Sequence, residues 1–216
     1  MGRPKSLDTL AQSLRLAFGH VGPRQSQRMA IRLVSLEDRH FMALTQAMQE
    51  ARRRVGRCEL CQDFTEAQRC RICADSQRDI GLLCITENSQ DVEALEASRS
   101  YNGLYHVLHG SLEQGEDREL LESARRLTIE ELWARLGLSP APREVILALD
   151  QDMAGELTSL YLAREIFRRF GHLKISRIGV GIPFGGEVLY ADPATVKHSL
   201  RSRIEMPAPQ EAINSK

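Results

Sequence analysis

No stretch of this chain stays apolar for the roughly 18 to 20 residues that a membrane-spanning helix needs. The opening residues, MGRPKSLDTL, lack the apolar core of a secretory signal. Both absences set the expectation of a cytoplasmic protein. No segment repeats itself. Cysteine is sparse, with five in 216 residues, and four of them fall in two close pairs. That usage points to a metal rather than to disulfides. What is there is ordinary for a globular protein: 42% hydrophobic and 27% charged residues, at a size that affords a core.

Net charge is missing too, since 29 Lys and Arg balance 29 Asp and Glu. The balance hides an asymmetry. Residues 1–57 hold eleven basic and four acidic side chains, an excess of seven positive charges, and the remainder carries the matching deficit. A basic front suggests a polyanion as partner, or else a solvated basic surface.

Apolar spacing predicts helices over 6–18, from Pro23 onward, and over 37–54. Pro23 suits a first helical position, where its missing N–H costs nothing. Residues 55–79 are poor in apolar side chains and need a staple. Beyond them the character changes. Gly81-Leu82-Leu83-Cys84-Ile85-Thr86 and Glu144-Val145-Ile146-Leu147-Ala148-Leu149 read as buried strands, joined by further strands at 104–109 and 174–180. Helices are expected over 91–100, over 119–136 with a break near Thr128, and over 156–170, the last closed by Gly171. Strands alternating with helices argue for a mostly parallel sheet. The tail from Met206 is polar and should be loose.

Cys58 and Cys61 form one Cys-x2-Cys pair, and Cys70 and Cys73 form a second after eight residues. Each pair can place two thiolates on one ion, and two pairs complete a tetrahedron. A closed four-thiolate shell leaves no position for water, so zinc in a structural role is the expectation. An iron–sulfur cluster could use the same ligands, and a redox dithiol would use one pair alone. Cys84 lies in an apolar strand and reads as a small buried hydrophobe.

Two further constellations carry chemistry. The turn Val21-Gly22-Pro23 opens a helix on which Arg24, Arg28 and Arg32 recur at i, i+4 and i+8 and so share a face. A glycine turn admits a phosphate to backbone N–H groups, and the helix N-terminus adds a favourable dipole. The alternative is an ordinary turn beside a solvated basic face. Glu87, Asp150, Asp152 and Glu156 fall at strand ends or at the start of a helix. Carboxylates there converge where parallel sheets bind ligands and could hold Mg²⁺. They could equally be strand-end and helix-start acids without a metal.

Four stretches, in order, resemble the RecR family of bacterial recombination mediators. They are Val21-Gly22-Pro23-Arg24-Gln25-Ser26-Gln27-Arg28-Met29-Ala30; the four cysteines with Cys70-Arg71-Ile72-Cys73; Glu87 with Asp150-Gln151-Asp152-Met153-Ala154-Gly155-Glu156; and Gly181-Ile182-Pro183-Phe184-Gly185-Gly186-Glu187 followed by Leu189-Tyr190-Ala191-Asp192. The resemblance covers about residues 6 to 203. It implies an α/β multidomain chain: a helix-hairpin-helix in 1–54, a zinc finger in 55–79, a Toprim-like domain in 80–176, and a Walker-B-like C-terminal extension in 177–216. It implies a DNA-binding scaffold rather than an enzyme. Such a scaffold forms a homotetramer or homodimer, binds single- and double-stranded DNA in the nucleoid, and acts with RecO, and often with RecF, to load recombinase. The family's DNA contacts fall on Arg24 and Arg28. Its partner-binding acid falls on Glu87, with Asp152 and Glu156 on the same surface.

The sequence departs from the family pattern in three places. His20 stands where a hairpin glycine is common, and Gly19 is one place early. Ser111-Leu112-Glu113-Gln114-Gly115-Glu116-Asp117 replaces a stretch like Leu-Ser-Pro-Leu-Asp-Gly. Asp150-Gln151-Asp152 restores the acidic set of catalytic Toprim enzymes, which keeps a rival open: a Mg²⁺-dependent nuclease. A topoisomerase is disfavoured, because Tyr101, Tyr105, Tyr161 and Tyr190 all lie in the Toprim-like region or its extension.

Overall fold

The computed structural model describes residues 3–115, 117–179, 181–182 and 185–203. The tail from Met206, Glu116 of the variant loop, and Val180, Pro183 and Phe184 of the glycine-rich run lie outside the described residues. The chain divides into two compact units, residues 1–55 and 56–216.

In the first unit, α1 (Lys5–Phe18) and α2 (Pro23–Val34) pack against each other, and α3 (Asp38–Arg54) follows. Small side chains allow the close approach: Ala11, Ser26 and Ala30 are buried. Gly19 ends α1 with a φ of +56°. His20, which stands where a hairpin glycine is common, does not take a left-handed conformation, because Gly19 supplies that turn. No residue of α3 is buried, and its apolar stripe of Phe41, Leu44 and Met48 stands exposed.

The second unit opens with two short antiparallel strands, β1 (Gly56–Arg57) and β2 (Phe64–Thr65). Then come β3 (Asp79–Thr86), α4 (Ser89–Ser98), β4 (Gly103–Val107), α5 (Asp117–Arg126), α6 (Ile129–Leu136), β5 (Glu144–Ala148), α7 (Met153–Arg169) and β6 (Lys174–Arg177). The sheet order is β4-β3-β5-β6, with every neighbouring pair parallel. β6 stops at Arg177, where the registered pairing with β5 ends at Leu147, and Ile178 N adds one further bond to Leu147 O at 3.1 Å. The long helix expected over 119–136 breaks at Thr128, whose hydroxyl donates to Val107 O at 2.6 Å. α7 closes on Phe170 rather than on a left-handed Gly171.

Side chains alternate across this sheet with the period of two that a strand imposes. Leu83 and Ile85 of β3, with Val145 and Leu147 of β5, face a core completed by Leu132 and Leu136 of α6 and Leu162 and Ile166 of α7. Cys84 and Ala148 face the other side, where Val92 of α4 and the cysteine module cover them. The replaced loop keeps an anchor in the first core. Leu112 is fully buried, and its N–H donates to Thr158 Oγ1 at 2.8 Å.

After β6 the chain forms a single 3₁₀ turn (Val188–Tyr190) and then α8 (Pro193–Arg201). The Walker-B-like run forms this turn. Its Asp192 caps α8, accepting from Thr195 N at 3.0 Å.

Candidate functional site

The cysteine module is built from two tight loops. Gln62 closes the first with a φ of +63°, and its N–H donates to Cys58 O at 3.0 Å. In the second, Ala74 N donates to Cys70 O at 3.0 Å. Backbone N–H groups already point at sulfur: Cys70 N to Cys58 Sγ at 3.3 Å and Cys73 N to Cys70 Sγ at 3.4 Å. All four sulfurs lie within 4.8 Å of one another, and Cys61 and Cys70 are 3.5 Å apart. A tetrahedral ion with bonds of about 2.3 Å sets its sulfurs about 3.8 Å apart, so the space suits one zinc-sized ion. Hydrogen bonding from Cys61, then Cys73, pushes Cys70 well below the usual thiol range, and Cys61 is pushed up by hydrogen bonding from Cys70, then Cys73. Among the described residues no other group of His, Cys, Asp and Glu gathers so closely. Cys84 stands outside the cluster, and burial pushes its thiol up to about 12.

This module is docked on the sheet. Val107 N donates to Cys61 O at 2.9 Å, and a ring nitrogen of His109 lies 2.6 Å from Gln62 O. Beside them His106 is fully buried, and burial pushes its pKa down to about 4, so its ring stays neutral.

The acidic residues share the carboxyl end of the sheet but not a common ligand point. Glu87 directly follows β3 in a buried position, and its Oε1 accepts from Asp150 N at 3.1 Å. Burial raises its pKa, and the charges of Asp150, Asp152 and Asp91 add to the rise. Asp152 turns its carboxylate to Gly155 N at 2.8 Å and caps α7. Glu156 pairs with Arg177 at 2.8 Å, and the same guanidinium reaches Gln151 Oε1 at 2.8 Å. The four candidate Mg²⁺ ligands are thus divided: Glu87 is buried, Asp150 is exposed, Asp152 caps a helix and Glu156 is in an ion pair. Spacing does not single out Gly155, yet it is what lets α7 start here. A Cβ on it would sit 2.1 Å from Asp150 O and 3.0 Å from Glu87 Oε1.

On the first unit Arg24, Arg28 and Arg32 are exposed on α2, and no carboxylate pairs with them among the described residues. Arg24 and Arg28 line a shallow pocket with Gln27, Ile31 and Arg3, while Arg32 lies outside it. Arg3 is a contribution that helical spacing could not reveal, because it precedes α1. Space around Gly22 is open, so the backbone of the turn is accessible.

Residues 81–179 match the Toprim domain family, and residues 181–204 match the family described as RecR, C-terminal. The recombination protein RecR of Heliobacterium modesticaldum is 38% identical over 186 residues, covering 86% of this chain and 90% of that one. Its counterpart in Moorella thermoacetica is 36% identical over 203 residues, covering 94% and 98%. The chain belongs to the RecR family. Membership gives it a role in DNA recombination and repair, as a mediator rather than an enzyme, and makes its Toprim region a non-catalytic one. The pairing of Glu156 with Arg177 and the capping role of Asp152 agree with that. No described helix is long and apolar enough to cross a membrane.

Proposed function

We propose that this protein is a zinc-bearing scaffold that binds DNA through α2 and its preceding turn, assembles into a ring of two or four copies, and works in the cytoplasm at the nucleoid. On this reading it acts with RecO and RecF to place recombinase on single strands. Arg24, Arg28 and Arg32 hold the phosphate backbone, and Asp152 and Glu156, beside the buried Glu87, form the surface that a partner protein meets. Zinc in the four-cysteine site holds the module together and performs no chemistry. The observation that carries the DNA reading is the row of exposed, carboxylate-free arginines beside an open glycine turn. Assembly is supported by the uncovered apolar stripe of α3.

Binding to labelled single-stranded and duplex DNA across a salt series tests the core of this reading. Affinity should fall steeply with salt and depend little on sequence. The double variant Arg24→Ala/Arg28→Ala should weaken binding. It should also reduce the log–log salt slope by about 0.7 to 0.9 for each phosphate that it no longer neutralises. A flat salt response contradicts the backbone-binding role. In the same tubes with Mg²⁺ or Mn²⁺ the DNA should stay intact. Cleavage that disappears in Asp150→Asn/Asp152→Asn would restore the nuclease.

A further inference from the structure

Arg135 is a largely buried arginine of α6 that pairs with no carboxylate among the described residues. Its guanidinium donates to the carbonyl of Tyr105 in β4, which uses part of its hydrogen-bonding capacity but supplies no countercharge. A cation taken out of water without an anion costs several kcal/mol in general, so an uncompensated arginine here would be a liability. Tyr105 O and Val107 N lie on the same outer edge of β4, and Val107 N donates to Cys61 O at 2.9 Å, so the guanidinium sits on the edge where the cysteine module is docked. Burial works against its charge there, and Cys73, Cys61, Cys58 and Cys70 oppose that effect. The same four sulfurs converge on the metal position.

One divalent ion and four thiolates leave a net charge of minus two, set against a core that includes Val92, Tyr105 and Val107. Two backbone N–H groups offer partial charge to sulfur. Arg69, another cation that feels these thiolates, is exposed and already paired with Glu59 at 2.5 Å. We infer that Arg135, reaching across from the Toprim domain, is the countercharge of the four-cysteine metal site. It makes retention of the ion depend on the α6–β4 framework.

The inference rests on the zinc reading, and the experiment separates the two. Metal content of the purified full chain, measured by mass spectrometry, should be about one zinc per chain, and a metal-free protein would sink that reading alone. On the loaded protein, zinc release to a chromogenic chelator is then timed. Arg135→Gln should release zinc about tenfold faster, the low end of what partners behind a metal's ligands contribute. Arg135→Lys, which keeps the charge and loses the planar fork, should stay within about twofold of the unaltered protein. Arg69→Gln should release at the unaltered rate. If Arg135→Gln folds and releases zinc at the unaltered rate, the inference fails. If Arg135→Lys is as leaky as Arg135→Gln, the bond to Tyr105 is what matters and the countercharge role is overturned. Should Arg135→Gln not fold, Arg135→Met, which keeps an apolar stem and loses the charge, takes its place under the same criteria.

Discussion

Glu87 shows most clearly how a residue can work against the fold that holds it. It is buried at the end of β3, and its carboxyl titrates above the usual carboxylate range because burial penalises the charge. In the unfolded chain the same group ionises first as pH rises. Between those two pKa values the folded state holds more protons, so stability falls as pH climbs through that window. At neutral pH the ionised side chain is a standing cost. Glu87→Gln keeps an oxygen for Asp150 N–H and removes the charge. It should therefore raise the melting temperature at pH 7 to 8, with the gain shrinking as pH falls toward 4.5. A variant that melts lower at pH 8 would show that the charge is satisfied. Glu87 is legible in the sequence by its place at a strand end. That Asp152 faces its own helix is one of the two readings the sequence leaves open. That Arg177 takes Glu156 is not legible there, because it depends on how a loop turns after the sheet is formed.

At the level of elements, strands and helices with strong periodicity are legible from the chain alone. β3, β5 and α7 stand where apolar spacing puts them, and Thr128 breaks its helix as expected. Boundaries differ where polar residues do structural work. β3 starts two residues early, at Asp79, because that carboxylate bonds Gly81 N and Arg143 rather than ending the strand. α4 starts at Ser89 because Asn88 N–H donates to Asp91 Oδ2 at 2.7 Å, a cap that carries no hydrophobic signal. The four cysteines are legible by spacing. Their burial against β4 is not, since nothing in 58–73 announces a sheet strand as neighbour. That docking sets the expectation for Cys58→Ser. Because Cys58 belongs to the core shared with Cys84, Val92 and Val107, losing the ion should disturb the sheet and not only the module. A cost of about 3 kcal/mol corresponds to about 6 to 12 °C in melting temperature for a unit of this size. A variant that keeps its zinc and its melting point would refute the assignment.

The whole molecule combines a basic front unit with an acidic remainder and leaves much of the front uncovered. Phe41 and Met48 of α3 are 45% and 65% exposed, more than a lone unit needs to leave in water. A second copy covering that stripe is the expected remedy. Phe41→Glu/Met48→Glu should lower the mass seen by light scattering while circular dichroism keeps its helical signal. An unchanged mass would place assembly elsewhere. The uneven charge is visible from composition. The exposed stripe is not, because spacing alone cannot tell an amphipathic helix that has found a core from one still waiting for it.

The docking of the cysteine module also has a consequence in time. His109 follows Gln62, the residue it touches, by 47 positions. During synthesis the two cysteine pairs leave the ribosome well before β4 and α6 exist to receive them. The early chain therefore presents four thiols with no sheet behind them. Metal captured at that stage would be held by the loops alone, before Val107 and His109 are there to anchor them.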